Sequence, residues 1–502
     1  MNNQTQEINR ELTTITKGAI LFSSGHILGV GLSFIITLVL VRFLGASIFG
    51  LYSLGLVVFG IFSIIARFGL NNGSLKYIAV YRGVEDKKRV KGIIIQSIAF
   101  PLIWGSIIGL AVYLFSSQIA KIFQTEDLIP IIKLFAIAIP FAALLPILSG
   151  ITRGFKTNKY QILAINVIQP LTNLGVIFLV IFCGYSVLGI VWASIIAIIL
   201  GILFLLYSIK KLFPDINSKD IVPIFETRKL LSTSGILLAI GMISFLVHWT
   251  DILMIGHFLP TESVGVYKVT IQIATLVTIS ISSFNSIFAT TISTLYHQKK
   301  HIRLQLLFKN ITRWGFYFGL LIFLIISTSP SEILQLFGKD FILGKNSLLV
   351  LALGQLVNVA VGATGFMLIM TNREKLESLN AICVLILNII LNFILIPKFG
   401  ILGAAIASAT SLSLINIVRI IEIRFSLKIH PFNLKFLKGL GAGIISFLLV
   451  LMLKNYLLFN LSYLINLILS SLFILIIFAI FLLLFKLEKE DKFIIKKIKN
   501  KL

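Results

Sequence analysis

The sequence predicts an all-α polytopic membrane protein. About fourteen transmembrane helices form two parallel-repeat six-helix lobes, with an appended helix pair. Three observations carry this reading. Of 502 residues, 58% are hydrophobic and only 13% charged, with a mean hydropathy of +1.02; a soluble surface needs far more charge. Apolar runs of about the 20 residues that span a bilayer recur along the whole chain. The two halves also repeat each other in register.

Taken in order, the spans fall near 18–41, 48–70, 92–115, 128–150, 160–182, 185–209, 233–258, 263–291, 312–330, 346–370, 376–396, 400–421, 434–457 and 462–485. The run from Gly18 to Val41 exceeds the roughly 7–15 residues of a signal-peptide core, so it is expected to be an uncleaved first helix. The repeat is read from Arg42–Tyr52, RFLGASIFGLY, against Trp249–Tyr267, WTDILMIGHFLPTESVGVY. Phe43 and Leu44 align with Phe258 and Leu259, Gly50 with Gly265 and Tyr52 with Tyr267, all at an offset of 215. Pro260 stands where the first copy has Gly45. Thr157-Asn158-Lys159 meets Thr371-Asn372-Arg373, Asn166 meets Asn380, and Ala193-Ser194 meets Ala407-Ser408, all at 214. Each copy spans six helices, an even number, so both enter from the same side as parallel repeats. The expected domains are an N-lobe at 1–212, a cytoplasmic linker at 213–231, a C-lobe at 232–425, and helices 13–14 with a basic cytoplasmic tail at 426–502.

The net charge of +25 follows the positive-inside rule and needs no nucleic-acid partner. With the N-terminus in the cytoplasm, 35 Lys and Arg fall on inner connections and 8 on outer ones. Both termini are therefore expected to be cytoplasmic in a multi-pass cell membrane protein. The tail from Lys489, KEDKFIIKKIKNKL, reads either as a segment on anionic lipid or as a solvated tail. Cys183 and Cys383 lie in apolar segments and point to neither a disulfide framework nor a metal. The six His form no metal spacing, and His26, His248 and His257 are open to proton relay or plain packing. No G-x-x-x-x-G-K-[ST] sequence is present, so nucleotide hydrolysis is not expected. The outer loops, longest near 116–127 and 331–345, are too short to form a catalytic domain.

The first two helices read LVLVRFLGASIFGLYSLGLVVFGIFSIIARFGL. With Arg42-Phe43-Leu44-Gly45, Gly50-Leu51-Tyr52, Arg67-Phe68-Gly69 and the run from Asp251 to Leu259, the chain resembles the polysaccharide-biosynthesis flippases of the multidrug/oligosaccharidyl-lipid/polysaccharide exporter superfamily. The resemblance covers essentially the whole chain. It implies a non-enzymatic flippase that moves a polyprenyl-(di)phosphate-linked oligosaccharide from the cytoplasmic to the outer leaflet by alternating access, for surface polysaccharide or glycan assembly. It implies no cofactor beyond a coupling H⁺ or Na⁺. The partners are lipid-linked oligosaccharide, membrane lipids and other polysaccharide-assembly membrane proteins. Two alternatives remain open at this point: a cation-coupled multidrug antiporter of the same superfamily, and a membrane-bound polysaccharide polymerase or glycosyltransferase.

Candidate residues follow from what a bilayer disfavours. An ionised carboxylate at depth costs at least about 2.5–3.5 kcal/mol, so Asp251, midway along helix 7, is expected either to couple an ion or to make a structural hydrogen bond. Arg67, Arg42 and Lys268 are candidates for the phosphate, against simple snorkelling. Gln272 and Asn285 on helix 8, with Asn166 on helix 5 and Asn380 on helix 11, are candidate cavity linings. Asn380, Asn388 and Asn392 on helix 11 also suit hydrogen bonds between helices.

Overall fold

The computed structural model describes residues 2–457 and 462–485, without the side chains of residues 2–24, 26, 283–287, 289, 290 and 457. Asn285, His26 and the basic tail therefore lie outside the described residues. Every regular element described is helical. In chain order these are α1 (Asn2–Arg67), α2 (Leu70–Gly83), α3 (Lys87–Leu114), α4 (Ser116–Ile122) and α5 (Leu128–Gly154). Next come α6 (Lys159–Ile162), α7 (Gln169–Phe182), α8 (Val187–Leu212), α9 (Thr227–Phe258) and α10 (Thr261–Ala274). They are followed by α11 (Ile279–His297), α12 (His301–Thr328), α13 (Pro330–Gln335), α14 (Lys345–Val361) and α15 (Thr364–Met370). Last are α16 (Glu374–Phe399), α17 (Ile401–Leu427), α18 (Phe436–Leu457) and α19 (Tyr463–Leu484).

Among the described residues, thirteen segments are long and apolar enough to cross a membrane. The first, Ile27–Gly83, has 57 residues, or about 85 Å at 1.5 Å per residue, against a hydrocarbon core of about 30 Å. It is broken at Gly45, whose φ of 72° and ψ of 175° are not helical, between the two spans that the sequence predicts there. Only glycine adopts such a dihedral pair without strain. Three predicted spans are less regular than their hydropathy implies. A π-helical stretch, Leu163–Ile168, links α6 to α7 ahead of Pro170. A 3₁₀ turn, Thr275–Thr278, separates α10 from α11. Gly362, at φ 71°, ends α14 before α15.

The chain divides into two compact units, residues 1–268 with 381–400, and residues 269–380 with 401–502. In the first, α5 is the centre and packs on α1, α2, α3 and α8. Its Ile131, Ile132, Phe135, Ile139 and Leu148 are fully buried, and Phe135 stacks on Phe59 at 4.7 Å. In the second, α14 packs against α17 and α12. A cluster including Phe288, Ile292, Phe308, Met367 and Ile423 fills the space between α11, α12, α15 and α17.

Two features of the first unit bear on function. The repeat glycines meet each other reciprocally. A Cβ on Gly50 would lie 1.8 Å from the carbonyl oxygen of Thr261, and one on Gly265 would lie 2.1 Å from that of Ala46. Ala46 and Thr261 are themselves related by the 215 offset, so the contact has local two-fold character. Ser47 Oγ lies 3.1 Å from Thr261 Oγ1 beside it. The linker is the second feature. It does not run free over the surface but is strapped across α2 and α3. Asp215 pairs with Lys87 at 2.8 Å, Lys91 Nζ donates to the Ser218 carbonyl at 2.7 Å, and the Ile224 N–H donates to the Lys88 carbonyl at 3.2 Å. Glu226 accepts from the Tyr81 hydroxyl and pairs with Arg89 at 3.1 Å and Lys229 at 3.5 Å. The Tyr81 hydrogen bond, aided by the Lys229 and Arg89 charges, holds the Glu226 carboxyl below its ordinary 4.5.

Gly50→Ala should lower the thermal unfolding midpoint of the detergent-solubilised protein, by the equivalent of about 1–3 kcal/mol of overpacking. Gly175, with nothing within 4 Å of its Cβ position, provides the control: Gly175→Ala should leave the midpoint unchanged or raise it slightly. Equal effects would mean the reciprocal contact is not made. Glu226 gives a pH test. Its folded value is depressed, so its contribution is complete above its ordinary 4.5 and fades as pH falls through the lower folded value. The protection factor of the Ile224 amide, its exchange slowed relative to an unstructured amide at the same pH, should stay level from pH 7 down to about that point and fall below it. Glu226→Gln should remove the pH dependence, and a strap equally protected at all pH values in both proteins would contradict it.

Candidate functional site

Asp251 sits on α9 in a helix whose flanks, Leu246 to Ile255, are otherwise nearly all apolar. It is 5% exposed. A carboxylate so placed must find its donors in the protein, and three of them are side chains on two other helices. Tyr267 Oη on α10 donates to Oδ2 at 2.6 Å. Asn392 Nδ2 and Asn388 Nδ2, one turn apart on α16, donate to Oδ1 at 2.8 and 3.2 Å. Asn392 Nδ2 also reaches Asn388 Oδ1 at 3.0 Å. Tyr267 and Asn392 are fully buried, and Asn392 Oδ1 is enclosed without a protein hydrogen-bond partner. The spacing of 388 and 392 places both amides on one face of α16. Short α9–α10 connectivity through Leu259 and Pro260 brings Tyr267 back over the same carboxylate. All four residues belong to one compact unit.

The arrangement has acid–base and cation chemistry available to it. Oxygen is the only ligand type of hard cations, and the group offers both carboxylate oxygens, the Tyr267 hydroxyl and two amide oxygens. Among the described residues, no cluster of His, Cys, Asp and Glu suits a transition metal. The repeat partner of Tyr267 behaves alike: Tyr52 is buried, and its hydroxyl lies 2.8 Å from Ser194 Oγ on α8.

The predicted phosphate residues are not gathered at one point. Arg42 is exposed just before the Gly45 break, and Arg67 ends α1. The helix between Gly45 and Arg67 is about 33 Å long at 1.5 Å per residue, so one phosphate cannot touch both. Arg67 is half-buried, with its Nε enclosed and lacking a protein partner. Lys268, which follows Tyr267, rests its ammonium 3.9 Å from the centre of the Trp249 ring, which stacks on Phe245. That is a cation–π contact.

Of the predicted lining residues, Gln272 is half-buried at the end of α10. Thr275, Thr278 and Ser282 return their hydroxyls to backbone carbonyls of their own helix, and Ser280 reaches the Gly315 carbonyl at 3.0 Å. Asn166 packs against Gly25 and Gly29 of α1. Asn380 donates to Glu422 at 2.8 Å, so its amide joins helices.

Sequence reasoning missed one polar network. Arg419 on α17 pairs with Glu377 on α16, Nε to Oε2 at 2.9 Å, and donates through Nη1 to Asn416 Oδ1 at 3.2 Å. Asn416 in turn donates to Asn358 on α14 at 3.0 Å. The signal was present in the spacing: Glu377–Asn380 and Arg419–Glu422 are both i, i+3, two rungs of one ladder between helices.

The polysaccharide biosynthesis protein family matches residues 15–292, and the MatE family matches residues 238–394. The chain is 25% identical over 415 residues to a probable low-salt glycan biosynthesis flippase of Haloferax volcanii, covering 79% of this chain and 81% of that protein. It is 21% identical over 430 residues to an uncharacterized membrane protein of Methanocaldococcus jannaschii, covering 81% and 83%. In fold it is similar to the lipid II flippase MurJ in an inward closed conformation (TM-score 0.70, 18% identity, 92% of this chain and 98% of that one). An inward-facing multidrug resistance MATE transporter gives a TM-score of 0.65 at 16% identity, covering 83% and 98%. With more than half its length matched, the chain belongs to the polysaccharide biosynthesis protein family, flippases of the multidrug/oligosaccharidyl-lipid/polysaccharide exporter superfamily.

Proposed function

We propose that this protein flips a polyprenyl-(di)phosphate-linked oligosaccharide from the cytoplasmic to the outer leaflet of the cell membrane, with both termini cytoplasmic. The observation that carries the reading is the likeness to a glycan flippase over about four fifths of the chain, joined to a cationic rather than acidic set of candidate ligands. Arg67 receives the phosphate at the cytoplasmic end of α1, where its enclosed Nε supplies an unused donor. Arg42 meets the phosphate at the outer end. Lys268 acts indirectly, by holding Trp249 beside the Asp251 group. The N-lobe at 1–212 and the C-lobe at 232–425 alternate about the repeat axis.

Asp251 is the coupling residue. With no cation bound, the two asparagine amides turn their N–H groups to the carboxylate. With H⁺ or Na⁺ present, the carboxylate no longer needs all three donors, and the amides can present oxygen instead. Asn392 Oδ1, enclosed and unpartnered, is the first oxygen available. Occupancy therefore changes the bond between α9 and α16, which is the kind of two-state element that coupling requires.

Proteoliposome translocation of a fluorescent polyprenyl-diphosphate oligosaccharide tests the scheme. Arg67→Ala should slow translocation about tenfold or more, the worth of a charge-assisted hydrogen bond, and Arg42→Ala should slow it as well. Asp251→Asn should translocate at a rate indifferent to an imposed H⁺ or Na⁺ gradient. Efflux of organic cations without movement of any lipid-linked glycan would replace the flippase reading with the antiporter one.

The Gly50–Gly265 contact gives a second test. If the repeats alternate, this contact parts once per cycle. A protein with Ser47→Cys and Thr261→Cys should form a disulfide, since the native oxygens are 3.1 Å apart and an S–S bond is about 2.05 Å. Translocation should stop on oxidation and return on reduction. Full activity in the oxidised protein would mean that the contact stays closed throughout.

A further inference from the structure

Two arginines of the first unit have no counter-charge. Arg67 ends α1, and Arg153 lies one residue before the end of α5. Both are half-buried, and the Nε of each is enclosed without a protein hydrogen-bond partner. Neither makes an ion pair among the described residues. The sequence has no acidic residue between Glu11 and Glu85, between Asp127 and Asp215, or between Glu226 and Asp251. Those intervals hold all of α2, α5, α7 and α8 and most of α9. The acids at their edges are spoken for: Asp86 pairs with Arg89, Asp215 with Lys87 and Glu226 with Lys229. A guanidinium keeps its proton in a protein, and a cation held away from water without an anion is costly. The missing anion must come from outside the chain.

Both residues border the start of α2. α5 packs on α1 and α2. Arg153 follows Phe135 by 153 − 135 = 18 residues, or five turns at 3.6 residues per turn, which puts it on the face of α5 that stacks Phe135 on Phe59 of α1. One turn before it, Gly150 seats against α2: a Cβ there would lie 2.0 Å from the Asn71 carbonyl oxygen. Asn71 in turn follows Arg67 by four residues, across a sharp turn at Phe68 and Gly69 with φ of 50° and 71°. The side-chain amides of Asn71 and Asn72 bond no other described residue. Two unmatched cations therefore flank a short stretch that offers two further donors.

We infer that Arg153 is the second cation of the site where Arg67 receives the phosphate, and that the pair selects a diphosphate carrier over a monophosphate one. This rests on the flippase reading above and narrows its substrate. A monophosphate bridging lipid and sugar is a diester with a single negative charge. A diphosphate bridge keeps one charge on each phosphorus. Arg67 meets one phosphoryl group and Arg153 the other, each through the paired N–H groups that suit phosphate oxygens. Asn71 and Asn72 donate to the oxygens that remain. A monophosphate would leave one of the two guanidiniums as unmatched as before.

The test uses the full-length protein in phosphatidylcholine nanodiscs and two probes, farnesyl-diphosphoryl-glucose and farnesyl-phosphoryl-glucose, with each Kd read by isothermal titration. The wild type should bind the diphosphate probe about tenfold or more tighter, the worth of one charge-assisted pair. Arg153→Gln should remove that preference and bring the two Kd values together. Arg153→Lys, which keeps the charge, should restore part of it. Arg153→Gln should also leave the thermal unfolding midpoint of the unliganded protein unchanged or higher, because it removes an unpaired charge. A lower midpoint with equal loss for both probes would make Arg153 structural and overturn the inference. Equal Kd values in the wild type overturn it too. So does displacement of the diphosphate probe by phosphatidylglycerol added to the discs, which would assign the two arginines to bilayer headgroups. Because binding is read without transport, a protein that translocates no lipid-linked glycan yet keeps the tenfold preference would sink the flippase reading and leave the diphosphate site standing.

Discussion

A carboxylate in the middle of an apolar helix has no water to hydrogen-bond, and the first unit is built to supply what water would. Asp251 requires donors on at least two other helices. It obtains them from Tyr267 and from the Asn388–Asn392 pair. Each donor is itself buried, so none can turn away without leaving a second group unsatisfied. These bonds join α9, the start of α10 through Lys268 and residues 381–399 of α16, all of which belong to the first unit, while the rest of α10 and of α16 belongs to the other. The carboxylate and its three donors thus fall on the same side of a division of the chain that does not follow its order in sequence. Any change in the charge of Asp251 would alter the hydrogen bonds that it makes to those helices.

Duplication explains a second set of contacts. In a bilayer, helices gain little from hiding apolar surface from lipid, so small residues that permit close backbones become the means of association. Gly50 and Gly265 occupy equivalent places in the two copies and press against each other's copy of the Ala46/Thr261 carbonyl. The copies have diverged at the residue before, Gly45 against Pro260. Both residues break a helix, one by its permissive dihedrals and one by its missing N–H. Backbone requirements have been kept while side-chain chemistry drifted. Tyr52 and Tyr267 show the same divergence in polar terms, one bonding a serine and the other a carboxylate.

The fold class was legible because its signals are collective. About twenty apolar residues per crossing and a constant repeat offset survive many local exceptions, such as the π-helical turn at Leu163–Ile168. Asp251 was legible because burial of a charge is unusual enough to stand alone. Its partners were only half legible: Asn388 and Asn392 pointed to bonds between helices, but nothing in one dimension joins 251 to 392. The Glu377–Arg419 pair escaped for the opposite reason. Charges near helix ends normally reach headgroups, and only three-dimensional pairing distinguishes the two cases. Near the candidate lining residue Gln272, the hydroxyls of Thr275, Thr278 and Ser282 bond carbonyls three or four residues back, as Ser and Thr in apolar helices can.

The linker shows how charge can serve structure without entering the membrane. The stretch 213–231, expected as a cytoplasmic linker, carries two prolines and mixed charge. The same residues fasten it, because Asp215 and Glu226 are acidic in a chain whose neighbouring surface is rich in Lys and Arg. Salt screens such exposed pairs, and no single one is worth much. Their arrangement makes the difference: Asp215, Ser218, Ile224 and Glu226 anchor successive points, so each contact shortens the free chain available to the next. The connection is thus held to α3 at four points before α9 begins, and α9 carries Asp251. The acidic residues that are scarce elsewhere are thus concentrated where they join the base of the helix to the element that precedes it.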